Sequence, residues 1–209
     1  MSKVIWTDIV VLLDRSGSMF SVKQDMEGGF NEFIKNQKEV KGKATVSLYQ
    51  FDTEYDIVYE NKDIKDVPAL ELIPRGGTAL LDALHKTVAS TKERLNKSNK
   101  KPNKCVIVVI TDGYENSSKE VNRVQVMELI TRTSKNDKID FVYLGANQDA
   151  IRESARLGIN LGVNYHSTPK GSKTLFQVLG NSMTSYRSAH NTNYSISDTD
   201  RQKLQKEDE

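Results

Sequence analysis

The segment "DIVVLLDRSGSM", residues 8–19, decides the fold, because an apolar run leads directly into a turn that is rich in oxygen-bearing side chains. Its "IVVLL" part, Ile9–Leu13, is apolar at every residue, and so is "VIVVI" at Val106–Ile110. Strands that are buried on both faces have this composition, and parallel sheets covered by helices require it. The segment therefore predicts a parallel sheet between two layers of helices.

Strand-like and helix-like segments alternate along the chain, which is the pattern of α/β proteins. The predicted strands are Asp8–Leu13, Ala44–Phe51, Tyr55–Tyr59, Lys104–Thr111, Ile139–Leu144 and Ile159–Tyr165. Amphipathic stripes predict helices at Val22–Ile34, Leu81–Val88, Val121–Ile130 and Phe176–Tyr186. Only Asp52–Glu54 separate the second strand from the third, so these two strands form a hairpin and the third runs antiparallel. We expect a three-layer α/β/α, doubly wound (Rossmann-like) fold whose six-stranded, mostly parallel sheet has one antiparallel edge strand.

The composition is that of a globular protein with a near-neutral charge. The length of 209 residues suits one domain, and the net charge of +2 argues against a general nucleic-acid binder. The one cysteine, Cys105, excludes an internal disulfide and favours a reducing compartment. No secretory signal is visible, and no apolar run approaches the ~20 residues of a transmembrane helix. We therefore expect a cytoplasmic protein that binds neither nucleic acid nor membranes.

The composition also divides the chain into a domain and a tail. Residues 1–189 contain all of the predicted strands and helices, and we expect them to form one domain. Residues 190–209 are polar and are predicted to form a C-terminal tail, either disordered or with a short helix from Ser197 onward.

Oxygen-bearing side chains follow two of the predicted parallel strands and also occur in a loop between them. Asp14, Ser16 and Ser18 come directly after the first strand, and Asp112 follows the fourth. Thr78 follows two glycines, at the predicted N-cap of a helix. Because side chains beyond the carboxyl ends of parallel strands converge on one crevice, we expect these five residues to meet there.

This set of side chains favours a hard divalent cation. It contains two carboxylates and three hydroxyls, and none of the three histidines of the chain is adjacent to it in sequence. Hard oxygens select Mg²⁺, Ca²⁺ or Mn²⁺ over zinc and copper. The alternate spacing in "DRSGS" suits an octahedral ion if Arg15 and Gly17 point away from it. Each residue taken alone is an ordinary turn or capping residue, so the prediction rests on their combination.

The motifs "DRSGSM", "GGT" and "TDG", in this order, resemble the metal-ion-dependent adhesion site (MIDAS) of the von Willebrand factor type A (VWA) domain family. The resemblance covers about residues 4–186. It implies that the hydroxyls of Ser16 and Ser18 coordinate Mg²⁺ (or Mn²⁺ or Ca²⁺), and that Thr78 coordinates directly in the ligand-competent state. It also implies that Asp14 and Asp112 act mainly through bridging waters, or directly in the resting state.

Such a site implies binding rather than catalysis. An ion surrounded by neutral hydroxyls and waters keeps much of its positive charge and one position for an oxygen from outside. A partner's Asp or Glu carboxylate gains Coulomb attraction there, so we expect a metal-dependent protein-binding module and not an enzyme. The chain resembles the intracellular, bacterial or phage-like branch of the family. That branch implies a partner within a multiprotein assembly, for example one with an AAA-type ATPase.

Enzyme patterns fit the motifs less well. A haloacid-dehalogenase-type phosphatase needs a second Asp at the position of Ser16, and a serine hydrolase elbow needs Gly-x-Ser-x-Gly. A glycine-rich phosphate loop that ends in Lys-Ser/Thr is absent from the sequence. Two alternatives stay open: a hydrolase that uses the same ion on phosphoesters, and a structural domain that the ion only stabilises.

Other residues near the predicted crevice have weaker support. Tyr114 and Glu115 follow directly on Asp112, and Asn147 and Gln148 follow a strand at the same edge of the sheet. All four are candidates for contacts at the rim of the site. An exposed loop or turn position without a binding role is the simpler interpretation for each.

Overall fold

The computed structural model describes residues 5–146, 149–189 and 193–205. The strands are β1 Trp6–Asp14, β2 Lys43–Phe51, β3 Tyr55–Asp63, β4 Lys104–Thr111, β5 Ile139–Ala146 and β6 Gly162–Tyr165. The α-helices are α1 Lys23–Lys38, α2 Leu80–Lys97, α3 Arg123–Asp137, α4 Ala150–Arg156, α5 Pro169–Ser188 and α6 Asp198–Gln205. Two short 3₁₀ helices lie at Gly17–Val22 and Ile64–Asp66.

The six strands form one sheet in the order β3-β2-β1-β4-β5-β6. Every neighbouring pair is parallel except β2 and β3, which are antiparallel. This arrangement confirms the predicted fold class, including the antiparallel strand at one edge. Its cause is local: the three residues between β2 and β3 are too few for the crossover that a parallel pair requires.

Strand β1 is buried on both faces, as its uninterrupted apolar run predicts. Ile9, Val11 and Leu13 belong to the core beneath α1, α5 and α6. Val10 and Leu12 point the opposite way, into the core beneath α2, α3 and α4. Because successive side chains of a strand alternate between the two faces, a run without polar residues requires a helical layer on each side.

One helix differs from the sequence expectation. Helix α4 is not among the predicted helices, because seven residues are too few to show a helical period. Its start nevertheless carries a sequence signal, since the side chain of Asp149 accepts a hydrogen bond from the backbone N–H of Arg152 at 3.0 Å. In the described part of the chain, none of the helices has the length and apolar content needed to cross a membrane.

The C-terminal segment packs against the rest of the fold. Tyr194, Ile196 and Leu204 are buried in the core beneath α1 and α5. Helix α6 therefore corresponds to the alternative in which the tail contains a short helix. Residues 190–192 and 206–209 lie outside the described residues, and the division of the chain at residue 189 stays a prediction.

The order of the strands determines where the loops meet. The chain leaves β1 for β2 on one side and returns to β4 on the other side of β1. Leu13 of β1 lies beside Ile110 of β4, so the loops that follow these two strands begin next to each other. A crevice at the carboxyl ends of the strands, where the order reverses, is the usual place for a ligand in such sheets.

Candidate metal centre

Asp14 ends β1 and shapes the loop that follows it. Its carboxylate is fully buried; Oδ1 accepts a hydrogen bond from the backbone N–H of Ser16 at 2.6 Å. Such a bond to the residue two positions ahead turns the chain sharply. The hydroxyl oxygens of Ser16 and Ser18 then lie 3.1 Å apart. The turn therefore brings two neutral oxygen donors together directly beyond the strand.

The residues between these donors bond to neighbouring loops, as their alternate spacing predicts. Arg15 donates from Nε to Asp52 Oδ2 at 2.8 Å and from Nη1 to Asp56 Oδ2 at 2.5 Å. The backbone N–H of Gly17 donates to the carbonyl of Gly76 at 3.1 Å. The loop after β1 is therefore held by both the β2–β3 hairpin and the loop before α2.

Asp112, at the end of β4, joins the serines. The hydroxyl of Ser18 donates to Asp112 Oδ1 at 2.5 Å. On the neighbouring residue, the hydroxyl of Thr111 donates to Asp14 Oδ2 at 2.6 Å. The ends of β1 and β4 are thus linked by a continuous set of hydrogen bonds that includes four of the five residues predicted from the sequence.

Thr78 is the fifth predicted residue, and Gly113 shows its position. A methyl group built on Gly113 would lie 3.2 Å from Thr78 Oγ1 and 3.7 Å from Ser18 Oγ. The two hydroxyls therefore lie on the same side of Gly113. The main chain of Thr78 is held by Asn116, whose Oδ1 accepts from the Thr78 N–H at 2.9 Å and whose N–H donates to the Thr78 carbonyl at 3.0 Å. The structure brings all five residues to one edge of the sheet.

The prediction that Thr78 caps a helix is wrong. Helix α2 begins at Leu80, and the preceding residue, Ala79, makes no side-chain cap. The backbone N–H of Leu81 donates instead to Glu115 Oε2 at 2.9 Å and to Ser118 Oγ at 3.0 Å. The loop after β4 therefore supplies the caps of α2, and capping does not use the hydroxyl of Thr78.

Two glycines allow the loop before α2 to pass close to its neighbours. Gly76 has a φ of 65°, in the left-handed region that favours glycine. A Cβ on Gly77 would lie 2.3 Å from Ser117 Oγ and 2.8 Å from Asn116 Oδ1. Side chains larger than hydrogen would therefore push Thr78 away from the loop after β4.

The two carboxylates lie in a setting that disfavours their negative charge. Burial and, to a smaller extent, the charge of Asp112 raise the pKa of Asp14 to about 6, although hydrogen bonds from Thr111 and Ser16 oppose the shift in part. Burial also raises the pKa of Asp112, against hydrogen bonds from the hydroxyls of Ser18 and Ser167. Two neighbouring buried carboxylates of this kind are stabilised in their ionised form by a nearby cation.

The donor set fits a hard cation. It consists of the hydroxyls of Ser16, Ser18 and Thr78 and the carboxylates of Asp14 and Asp112, and oxygen donors are those that Mg²⁺ and Ca²⁺ prefer. Within residues 5–146, 149–189 and 193–205, no three His, Cys, Asp or Glu side chains gather in a group that could hold a metal ion. The candidate site is thus made mainly of hydroxyls, with two carboxylates.

Sequence reasoning missed several residues that support the site. Thr111, Asn116 and Ser167 all contact the predicted donors or their main chain. Only Thr111 had a local signal, because it directly precedes Asp112. Of the candidate rim residues, Tyr114 is 57% exposed, while Glu115 bonds to the start of α2. Asn147 and Gln148 lie outside the described residues.

The sequence of the chain matches a known family of domains. The sequence profile of the von Willebrand factor type A domain matches residues 8–178, which is more than half of the chain. No curated protein matches the chain at a significant level. Solved structures do match, at sequence identities that indicate a shared fold only.

Three of these structures show the range of sequence identity, TM-score and coverage. Proximal thread matrix protein 1 from the mussel byssus is 13% identical with a TM-score of 0.58, and the alignment covers 87% of this chain and 46% of that one. The von Willebrand factor domain of the type V pili tip protein of Porphyromonas gingivalis is 11% identical with a TM-score of 0.61. That alignment covers 92% of this chain and 99% of the Porphyromonas domain. The pilus adhesin SpaC of Lactobacillus rhamnosus GG, in its open conformation, is 14% identical with a TM-score of 0.65. That alignment covers 88% of this chain and 31% of SpaC. The chain spans less than half of the mussel and Lactobacillus proteins.

Proposed function

The chain belongs to the von Willebrand factor type A domain family, and we propose that it is a protein-binding module whose partner docks on a divalent cation, Mg²⁺ in the first place. Domains of this family commonly serve in protein–protein interaction. The observation that carries the proposal is the convergence of three hydroxyls and two buried carboxylates at one edge of the sheet.

Each residue has a definite part in this proposal. Ser16, Ser18 and Thr78 would hold the cation through neutral oxygens. Asp14 and Asp112 balance its charge and orient the hydroxyls; Ser18, for example, donates to Asp112. When bound, the cation supplies positive charge and a coordination position for an oxygen from outside. An Asp or Glu side chain of the partner protein matches that position in both charge and donor type.

The first experiment measures the cation alone. Wild-type protein stripped with chelator is titrated with MgCl₂ in a calorimeter, and then with MnCl₂ and CaCl₂. We expect saturable binding of one ion, which Ser16→Ala weakens by at least about ten-fold because it removes a donor. Ser134→Ala, at an exposed position of α3, is the matched control and should bind like the wild type. A wild-type protein that binds none of the three ions contradicts the proposal.

The second experiment tests the partner. Immobilised wild-type protein is incubated with extract of the native cells in Mg²⁺ or in EDTA, beside Asp14→Ala. A partner retained only by the wild type in Mg²⁺, and lost when its own Asp or Glu is changed to Asn or Gln, supports the proposal. Retention that is equal in EDTA and in Asp14→Ala argues for metal-independent binding.

A phosphoester panel separates binding from catalysis. The hydrolase alternative predicts Mg²⁺-dependent turnover of p-nitrophenyl phosphate or a related ester that disappears in Ser16→Ala. We expect no such turnover. Four points stay predictions: the association with an AAA-type ATPase, the cytoplasmic location, the membership of the intracellular branch and the lack of enzymatic activity.

A further inference from the structure

We propose that Asp52, outside the predicted donor set, is the positioning residue that holds the Ser16–Ser18 loop and the Thr78 loop at a fixed spacing. The inference rests on the proposed function, because its consequence is a change in cation affinity. Asp52 lies in the β2–β3 hairpin and is fully buried. None of the three donor-bearing loops contains it.

The side chain of Asp52 joins two of these loops through two arginines. Its Oδ2 accepts from Arg15 Nε at 2.8 Å and from Arg75 Nε at 2.8 Å. Arg15 lies between Asp14 and Ser16, and Arg75 lies three residues before Thr78. One carboxylate oxygen therefore bridges the two loops that carry the three hydroxyl donors.

The main chain around Asp52 strengthens the same link. The carbonyl of Asp52 accepts from the backbone N–H of Ala79, next to Thr78, at 2.9 Å. The backbone N–H of Arg15 donates to the carbonyl of Phe51 at 2.8 Å, and the backbone N–H of Arg75 donates to the carbonyl of Arg15 at 2.9 Å. Both loops are thus tied to the end of β2 and to each other.

Asp52 is itself held rigidly, which suits a positioning role. Its Oδ1 accepts from the backbone N–H of Glu54 at 2.6 Å, so the carboxylate is fixed by the turn of its own hairpin. The affinity for a cation that three neutral hydroxyls hold depends strongly on the spacing of those hydroxyls. The affinity of a site made of several charged ligands depends less on their spacing. Partners outside the coordination sphere commonly contribute ten-fold or more to metal affinity for this reason.

The test compares two buried aspartates of the same protein. Asp52→Asn removes the charge that holds both arginines. The matched control is Asp8→Asn, which removes an equally buried carboxylate whose Oδ2 accepts from Arg94 Nη2 at 2.8 Å. Asp8 is the third residue of β1, near the strand end away from the donors. Both variants lose a buried ion pair, but only the first touches the donor loops.

Calorimetric titration with MgCl₂, on protein whose folding circular dichroism has verified, is the readout. We expect Asp52→Asn to lower the Mg²⁺ affinity about ten-fold or more and Asp8→Asn to leave it unchanged, although both lower the melting temperature. Equal affinities in all three proteins, or an equal loss in both variants, overturns the inference while the proposed function stands. A wild-type protein without Mg²⁺, Mn²⁺ or Ca²⁺ binding overturns the proposed function itself.

A second variant keeps the test decisive if Asp52→Asn does not fold. Arg75 is half-exposed, and Arg75→Gln removes the ion pairs that link the Thr78 loop to Asp52 and Glu54 of the hairpin while the Arg15–Asp52 pair stays. We expect a smaller loss of Mg²⁺ affinity in the same direction. An affinity equal to that of the wild type contradicts the role of the bridge.

Discussion

Strand β1 carries two fully buried aspartates, Asp8 near its amino end and Asp14 at its carboxyl end, and their surroundings differ in kind. Asp8 is paired with Arg94 at 2.8 Å and accepts a further bond from Thr45. Within the described residues, Asp14 accepts hydrogen bonds from Ser16 and Thr111 and has no ion pair. Burial raises the pKa of Asp14, and the second buried carboxylate, Asp112, adds a smaller upward shift.

In our proposal, the difference separates a carboxylate that stabilises the fold from one that takes part in cation binding. A charge taken out of water must be compensated by a partner of opposite sign or by several hydrogen bonds. Arg94 supplies that compensation to Asp8 from within the chain. At Asp14 the chain provides neutral donors, so a cation from solution completes the balance in our proposal.

The largest effect is expected from removing the charge of Asp8. Asp8→Asn leaves the largely buried Arg94 without its counter-ion and should lower the free energy of unfolding by about 3 kcal/mol. Urea unfolding measures the change. Asp137→Asn, which breaks a partly exposed pair with Lys92, is the control and should cost less than about 1 kcal/mol. A loss at Asp8 no larger than at Asp137 would show that the Asp8–Arg94 pair does not stabilise the fold.

Asp14→Asn should behave in the opposite way. Without metal, it removes a buried carboxylate that lacks a counter-ion, so the free energy of unfolding at pH 7 should rise by about 1 kcal/mol. With Mg²⁺, the affinity should fall about 100-fold. Urea unfolding in EDTA and calorimetric titration provide the two numbers. If the metal-free variant is clearly less stable than the metal-free wild type, the carboxylate of Asp14 stabilises the fold as that of Asp8 does.

Thr78 tests whether the hydroxyl itself matters. Thr78→Val keeps the shape of the side chain and removes the oxygen, so the Mg²⁺ affinity should fall about ten-fold. Thr78→Ser keeps the oxygen and serves as the control, with an affinity close to that of the wild type. If both variants bind equally, Thr78 contributes shape alone.

The smallest effect is the stabilisation by the ion. Since Mg²⁺ binds only the folded chain in this proposal, a concentration ten times the dissociation constant should raise the melting temperature by about 3 °C. Asp14→Asn at the same concentration should show no rise. Differential scanning calorimetry in MgCl₂ and in EDTA measures both, and a rise that persists in the variant points to a different ion site.

The proximity of the five candidate donors could be predicted because each belongs to a short motif, directly after a predicted strand or before a predicted helix. Asp14, Ser16 and Ser18 follow an apolar run, and Asp112 follows another. Convergence of parallel strand ends then brings them together without further information. The role of Thr78 as a helix cap was predicted wrongly, because the competing caps, Glu115 and Ser118, come from a loop more than thirty residues away.

Contacts across long stretches of chain were beyond sequence reasoning. In the sequence, Gly29 weakens the first predicted helix and favours a close contact of that helix with the sheet. In the structure a Cβ there would lie 2.3 Å from the ring of Phe176, so this glycine allows α1 and α5 to pack closely. Arg187 of α5 is buried and donates to the carbonyls of Gln37 and Val40 at the end of α1. The partners in both contacts are far apart in sequence, so neither pair can be identified from neighbouring residues.

The amino-acid sequence alone predicts the helical layers, the antiparallel edge strand and the oxygen-bearing side chains that follow β1 and β4. All of these follow from periodicity, loop length and local turns, which act over a few residues. Two features could be seen only in the tertiary structure. One is that Asp8 has an arginine partner, and the other is that Asp52 links two loops through Arg15 and Arg75. The physical reason is that charge balance in a low-dielectric interior depends on distances between residues far apart in sequence.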